Sequence, residues 1–384
     1  MKRVLINALA NKSGGQITRL NEILKLIKSN DINDIFFTIL LPKDQSKHEI
    51  KFRNINYIYK DFGVGIFAVI KRFIWENLYM HSLYTRLNKN LFLSFSHYLP
   101  HYNFSDKPSI IGISNLLPFS SAAIKEESFI SRVKLKVLRK TILSSMKRSS
   151  AIISLSGSCT KILIRNNINP SKIHTIRNGV DAFWGCKNSK RSEYVNKITS
   201  QNYLLYVSHF YSYKNHLRLI EAYANLSKGI KDINQLVLVG NPHNKKYYKK
   251  ILQLIEKKHL QDNVLLFEAL PKEDIRCLYQ NTSLMLFPSL IENSPNILLE
   301  AMRSGAPVIA SDISPIREHC GDAILYFDPL NSNSIKESIE SAVANTLLLK
   351  ILSEQSSKQA KSFTWSIFFD KCMYLIYDEL KLNS

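Results

Sequence analysis

Carboxylates, glycine, proline and cysteine are all thinly supplied in this sequence. Only 31 Asp and Glu residues stand against 52 Lys and Arg, which leaves a formal charge of +21. That imbalance narrows the candidate partners to anions: nucleic acid, an anionic membrane surface or a polyphosphate substrate. The excess of Lys, Asn and Ile equally fits an AT-rich genome. With 12 Gly and 12 Pro in 384 residues and an apolar fraction of 45%, a fibrous or disordered chain is excluded. Cys159, Cys186, Cys277, Cys320 and Cys372 lie far apart and form no C-x-x-C pair. This argues against a disulfide framework and a cysteine zinc site, and it suits a reducing cytoplasm. Long apolar runs are missing too. Residues 64–70 and 35–41 are among the longest uncharged ones, far short of the roughly 20 residues a spanning helix needs. Lys2 and Arg3 before 4–10 resemble the start of a secretory signal, but no small-x-small cleavage site follows. The segment reads as a first strand and its loop, in an uncleaved cytoplasmic chain.

A length of 384 residues exceeds what one hydrophobic core normally holds, so two domains are expected. Short apolar runs alternate with amphipathic ones throughout. Expected strands in the first half are 4–8, 35–41, 55–59, 110–114, 151–155 and 173–176. In the second half they are 203–207, 235–239, 264–267, 284–287, 307–310 and 324–327. Stretches such as 217–226, 247–258 and 335–349 have helical periodicity. Strand–helix alternation implies α/β architecture, with parallel sheets and right-handed crossovers. The pattern restarts near residue 200, after a polar connection at 178–202. The expected domains are 1–181 and 182–364, and the apolar-periodic segment within 365–384 is expected to cross back onto the first. Open sheets of this kind bind ligands at the carboxyl ends of their strands. Two Rossmann-like domains facing each other would leave one cleft between them.

Residues 288–307 read Pro-Ser-Leu-Ile-Glu-Asn-Ser-Pro-Asn-Ile-Leu-Leu-Glu-Ala-Met-Arg-Ser-Gly-Ala-Pro. A strand ends just before them. Ser294 is the expected N-cap, Pro295 the first helical residue, and Gly305 the stop after a helix reaching Ser304. The free amides of Asn296, Ile297 and Leu298 at such a helix start make an anion site. Glu292 precedes the helix, and Glu300 lies roughly 7–9 Å along its axis. Carboxylates accept hydrogen bonds from sugar hydroxyls, and a nucleotide sugar carries hydroxyls on both sides of its diphosphate. The residues alone leave two readings open: such a site, or two solvated charges on an ordinary helix.

Glu292-x7-Glu300, followed by Ala-Met-x-x-Gly-x-Pro-Val-Ile-Ala, resembles the signature of the family 4 glycosyltransferases, retaining enzymes of the GT-B fold. The resemblance continues through Ser311-Asp312, Gly321-Asp322-Ala323 and Phe327-Asp328-Pro329. It implies that Glu292 meets the donor sugar, Glu300 the ribose, and the Asn296–Leu298 backbone the phosphate. It also implies retention of anomeric configuration, no metal or other cofactor, a nucleotide-sugar donor, and a lipid-linked or oligosaccharide acceptor. Lys214, after the strand 203–207, matches the family's diphosphate-binding lysine. Ser208-His209 stand where Gly-Arg is commoner, so His209 brings less charge to the phosphate. Gly14-Gly15 resemble the family's amino-terminal glycine loop, and Gly240 ends a strand where the family places the nucleotide. The match is strong over 200–330 and weak over 1–150. Ser114-Asn115 occupy the place where many relatives carry a histidine, and His97 reads as an ordinary loop histidine or as a substitute for the one missing there.

Residues 131–150 carry seven basic residues and no acidic one. They read either as a solvated helix face or as the contact with an anionic membrane, which would make the chain peripheral on the inner face of the plasma membrane. The style of chain suits bacterial O-antigen or capsule assembly. No nucleic-acid-binding motif accompanies the charge, so no nucleic acid is expected. Two other readings remain: a non-enzymatic basic protein binding nucleic acid or membrane, and another GT-B enzyme such as a nucleotide-sugar epimerase.

Overall fold

The structure is a computed structural model that describes residues 1–10, 15–101, 107–187, 192, 195, 196, 198 and 200–381. The chain divides into two compact units. One takes Met1–Phe119, Val133–Gly179 and Trp365–Ser384, and the other Ser120–Arg132 and Val180–Thr364.

In the first unit, β1 (Lys2–Asn7), β2 (Ile35–Pro42), β3 (Ile55–Lys60), β4 (Leu91–Ser94), β5 (Ser109–Gly112), β6 (Ala151–Ser154) and β7 (Ile173–Thr175) form a parallel sheet in the order 3-2-1-4-5-6-7. β4, β5 and β6 are buried at every residue, which is why they read as continuous apolar runs instead of alternating ones. The chain starts mid-sheet at β1 and winds out in both directions. Helix α1 (Gly15–Ser29) follows β1, and α2 (Gly65–Arg86) follows β3. Beyond β5 come α3 (Ser121–Lys125), which is part of the second unit, and α4 (Phe129–Arg148), which joins the first from Val133 on; α5 (Gly157–Arg165) follows β6. Right-handed crossovers put α1 on one face of the sheet, and α2 and α4 on the other. The strand β4 was not expected. Its four residues are a short run, three of them apolar, set off from α2 by Asn88, Lys89 and Asn90.

In the second unit, β8 (Tyr203–Val207), β9 (Gln235–Val239), β10 (Val264–Phe267), β11 (Leu284–Phe287), β12 (Val308–Ser311) and β13 (Leu325–Phe327) form a parallel sheet in the order 10-9-8-11-12-13. The expected strands of this half appear within a residue of their ends. The helices are α6 (His216–Ala224), α7 (Lys228–Ile233), α8 (Lys245–Lys257), α9 (Lys272–Asn281), α10 (Asn296–Arg303), α11 (Ser314–Cys320), α12 (Ser332–Val343) and α13 (Thr346–Ala360). The strand order reverses between β8 and β11, and loops diverge at that switch point to leave a ligand crevice.

The last helix, α14 (Trp365–Lys381), packs against α1 in the first unit. Phe368, Leu375 and Ile376 are almost wholly buried there. The Phe368 ring lies near Phe95, and the Arg19 guanidinium sits over both. Arg19 also donates to Asn178 Oδ1 at 3.0 Å and to Ser114 Oγ at 3.1 Å. Burial brings its pKa down to about 10.

Candidate active site

The loops at the switch point are tied together by one asparagine. After β8 the chain makes a short turn at Ser212–Lys214, and Asn215 follows in the left-handed region at φ 64°. Asn tolerates that conformation better than other residues with a Cβ. The Asn215 side-chain amide donates to Pro288 O at 3.1 Å and Pro329 O at 2.7 Å, joining the loops after β8, β11 and β13. The Leu290 amide donates to Tyr213 O at 2.8 Å, and the Tyr206 hydroxyl donates to Lys214 O at 2.9 Å. These bonds bring together residues 78 apart in sequence: Lys214 Nζ lies 2.6 Å from Glu292 Oε1. The two side chains are only 13% and 11% exposed. Burial lowers the lysine pKa, but Glu292 and Tyr206 outweigh it and hold the ammonium above its ordinary value. A fixed positive charge therefore sits at the switch point, on a carboxylate that another anion can compete with.

The helix α10 begins one residue later than expected. Pro295 is the N-cap position, with ψ at 69°, and no side chain caps it. Its carbonyl accepts the Leu299 amide at 3.0 Å. Ser294 Oγ donates to Asn296 Oδ1 instead of capping an amide, because the tight turn that pairs the Asn296 amide with Ser294 O carries the hydroxyl away. The expected three open amides are thus two. Those of Ile297 and Leu298 have no partner among the described residues. The helix ends at Arg303, and Gly305 follows at φ 87°, a stop as expected. Glu300 lies one turn in. Burial pushes its carboxyl up to about 8, with Lys272 pulling it down and Asp181 adding to the rise. The Glu300 carboxyl therefore keeps its proton at neutral pH, while Glu292 is paired with Lys214.

Gly240 stands where β9 meets β8. A Cβ there would lie 2.0 Å from Ser208 O, so only glycine fits. The Asn241 amide donates to His209 Nδ1 at 3.2 Å. An acceptor at Nδ1 leaves the proton on Nε2. Burial, His243 and Lys214 all lower the His209 pKa, so the ring offers a neutral N–H. The rings of Tyr213, Tyr211 and His243 follow one another in a stack. The ring series and the role of Asn215 were missed from sequence; Tyr211-x-Tyr213 and an asparagine after Lys214 were their only trace there.

Gly15 is the first residue of α1 in the first unit, and Gly14 lies outside the described residues. Ser114 and Asn115 are engaged structurally, Ser114 with Arg19 and Phe95 O, and Asn115 with the Leu117 amide. His97 is no ordinary loop residue. It adopts φ 55°, its Nδ1 is buried without a hydrogen-bond partner, and burial beside Arg72 lowers its pKa to about 4. Among the described residues no group of three or more His, Cys, Asp or Glu side chains is arranged around a metal site.

Residues 188–362 match the model of a family described as glycosyl transferases group 1. The chain is 26% identical over 215 residues to the O-antigen chain mannosyltransferase RfbU of Salmonella typhimurium, covering 56% of each. It is 29% identical over 170 residues to O-antigen chain mannosyltransferase B of Escherichia coli, covering 44% of each. It thus spans about half the length of the curated relatives it matches. A solved structure of Anabaena Alr3699/HepE in complex with UDP and glucose superposes with a TM-score of 0.74 at 16% identity, over 98% of this chain and 100% of that one. A likeness of that extent shows a shared fold, the GT-B fold of two Rossmann-like units. The matched segment takes in the Lys214–Glu292 pair, Gly240 and α10, so the part of this chain that resembles the glycosyl transferases group 1 family is the part that carries the candidate site.

Proposed function

We propose that this chain is a retaining hexosyltransferase that moves a sugar from a nucleotide sugar to a lipid-linked glycan acceptor in O-antigen or capsule assembly. The observation that carries the reading is the buried Lys214–Glu292 pair at the switch point, on the loop that leads into the open amides of α10. The two relatives compared above are O-antigen mannosyltransferases by name.

The chemistry follows from what these groups can do. As the bond from the anomeric carbon to the diphosphate breaks, the bonding electrons leave with the nucleoside diphosphate. The sugar passes through an oxocarbenium-like state, as in glycoside cleavage. The acceptor hydroxyl oxygen then forms the new bond at that carbon from the side the diphosphate leaves, and its proton passes to the departing diphosphate oxygen. The growing charge on the diphosphate draws Lys214 from Glu292 and meets the amides of Ile297 and Leu298 and the His209 Nε2–H. Glu292, released, accepts from sugar hydroxyls, and protonated Glu300 meets the ribose hydroxyls as donor or acceptor. With these donors neutralising the leaving group, the transfer proceeds without a metal ion.

The test incubates the full chain with a panel of radiolabelled nucleotide hexoses and lipid-linked acceptors, with and without EDTA. Transfer with retained configuration, unaffected by EDTA and lost in Lys214→Ala, is the expected result. If no nucleotide sugar binds, or if Lys214→Ala and Glu300→Ala bind and turn over as the parent does, the reading fails. Conversion of the donor sugar without transfer would make the chain an epimerase instead.

A further inference from the structure

A cavity of about 260 Å³ opens at the amino ends of strands in the first unit. Sheets of this kind take their ligands at the opposite, carboxyl edge, so the cavity has no part in the chemistry proposed above. Lys2 at the start of β1, Asn90 just before β4, and Lys107 and Pro108 just before β5 line it. Tyr84 of α2 and Leu380 of α14 close its sides, and Lys89 completes the wall. Three lysines thus face one small space, and no carboxylate of the described residues lines it.

Lys89 sets this space apart from a patch of solvated charge. The residue is only 7% exposed, and lysine is almost never buried to that extent without a partner of opposite charge. Its ammonium donates to Thr38 Oγ1 and lies 5.3 Å from the centre of the Phe36 ring. One hydroxyl satisfies one of its three N–H donors. None of Lys2, Lys89 and Lys107 forms an ion pair with a described residue. Two carboxylates stand close in the chain, and both are engaged elsewhere. Asp34, whose carbonyl accepts the Lys2 amide, accepts from the Tyr377 hydroxyl at 2.8 Å, and Glu379 is buried and accepts from the Ser150 hydroxyl. Burial, and after it Arg3, brings the Lys89 pKa down to about 8. The fold therefore keeps a cation out of water without the compensation that ordinarily accompanies it.

We propose that this cavity binds a phosphate dianion, free or esterified to a small molecule, between Lys2, Lys89 and Lys107. Hydrogen bonds from an ammonium to a phosphate oxygen are about twice as strong as neutral ones, and Lys89 has two N–H donors left to make them. The Asn90 side-chain oxygen is taken by the Arg3 amide at 2.9 Å, which leaves its Nδ2 to donate as well. Three ammonium groups in one space call for more than one negative charge, which selects a dianion over a monoanion. Size selects further. The cavity is smaller than the roughly 300–1,000 Å³ of pockets for drug-sized ligands, so a nucleotide is too large, whereas a phosphate with a few attached carbons fits against Pro108 and Leu380. The bound anion bridges the starts of β1, β4 and β5. The site goes beyond the sugar-transfer reading and does not depend on it.

The test is isothermal titration of the full chain with inorganic phosphate and, separately, with glycerol 3-phosphate. Saturable binding is expected, and it should persist in Lys214→Ala, which removes the cation at the switch point. It should weaken by more than about tenfold in Lys89→Met and by roughly fivefold or more in Lys107→Glu, where the side chain is exposed. Neither change breaks an ion pair, so urea unfolding of each variant without ligand should stay close to the parent's. At pH 8 the arriving dianion should also draw a proton onto Lys89. The parent's heats should then vary with the ionisation enthalpy of the buffer, and those of Lys89→Met should vary much less. Tighter binding of the ester would show that Pro108 and Leu380 hold its carbons, and equal binding that the phosphate alone is recognised; either result supports the site. Absence of saturable binding of both probes overturns the proposal, as does binding that Lys89→Met and Lys107→Glu leave unchanged. Binding lost in Lys214→Ala and kept in Lys89→Met places the anion at the switch point and equally overturns it. Phosphate held here by a chain that transfers no sugar would leave the site intact and remove the transferase reading alone.

Discussion

Adding one methyl group at Gly240 tests whether the ends of β8 and β9 have to touch. In Gly240→Ala the new Cβ would lie 2.0 Å from Ser208 O, 2.5 Å from Ser208 C and 2.9 Å from His209 N. All three are backbone atoms, so no side-chain rotation relieves the clash. The strand ends must part by about 1 Å. Overpacking of this kind costs about 1–3 kcal/mol. The parting also strains the bonds from the Ser208 amide to Val239 O and from the Phe210 amide to Asn241 O, each contributing about 0.5–1.5 kcal/mol. The expected loss is about 3 kcal/mol, a large share of the roughly 5–15 kcal/mol that holds a domain together. Urea unfolding of the full chain reads it directly. Because the Asn241 amide holds His209 Nδ1, the same shift turns the Nε2–H away from its ligand, and nucleotide-sugar affinity should fall more than about tenfold. Gly229→Ala is the control: it lies in α7 with nothing within 4 Å of its Cβ, and it should be neutral or stabilising by up to about 1 kcal/mol. Unfolding of Gly240→Ala within about 0.5 kcal/mol of the parent, with unchanged affinity, would show that the close approach is unnecessary.

Lys214→Ala should lower turnover by on the order of a hundredfold or more, and its stability cost should be less than additive with that of Glu292→Ala; a double-mutant cycle in denaturant measures the coupling, and simple additivity would deny the buried pair. Folded Glu300 keeps its proton up to about pH 8, whereas the unfolded chain releases it near 4.5. Its contribution is therefore complete below about 4.5 and is lost as pH rises through about 8; Glu300→Gln should flatten this part of the stability–pH curve, and a slope equal to the parent's would refute the shift. Deleting 365–384 removes Phe368, Leu375 and Ile376 from the first unit's core; circular dichroism should show loss of that unit's cooperative melting, and a native melt would contradict the packing.

The strands of the second unit were legible because each is a short apolar run, buried or half-buried, bounded by turn residues. β4 was not, since Leu91–Ser94 is only four residues and three of them apolar. The motif around Glu292 located the site, but its geometry came from contacts that sequence cannot rank. Nothing in the spacing shows that Lys214 and Glu292 meet; that follows from the Asn215 and Tyr213 bonds between loops. The Ser–Pro rule misplaced the helix start because the local turn engaged the Asn296 amide first. The apolar run at 64–70 was correctly too short to span a membrane, yet periodicity alone could not say that this side of α2 faces out.

Helix α14 also sets an order of events. The first unit begins with residue 1 and is completed only by Trp365–Ser384, after the second unit has been made in between. A chain emerging from the ribosome therefore holds β1 to β7 with the apolar face that carries α1 only partly covered while the intervening strands and helices are synthesised and fold. Until its last 20 residues arrive, the first unit stays the more vulnerable half to aggregation and chaperone capture. Severing the chain between the two sheets would accordingly yield one fragment lacking a helix and another carrying a helix with no sheet to cover.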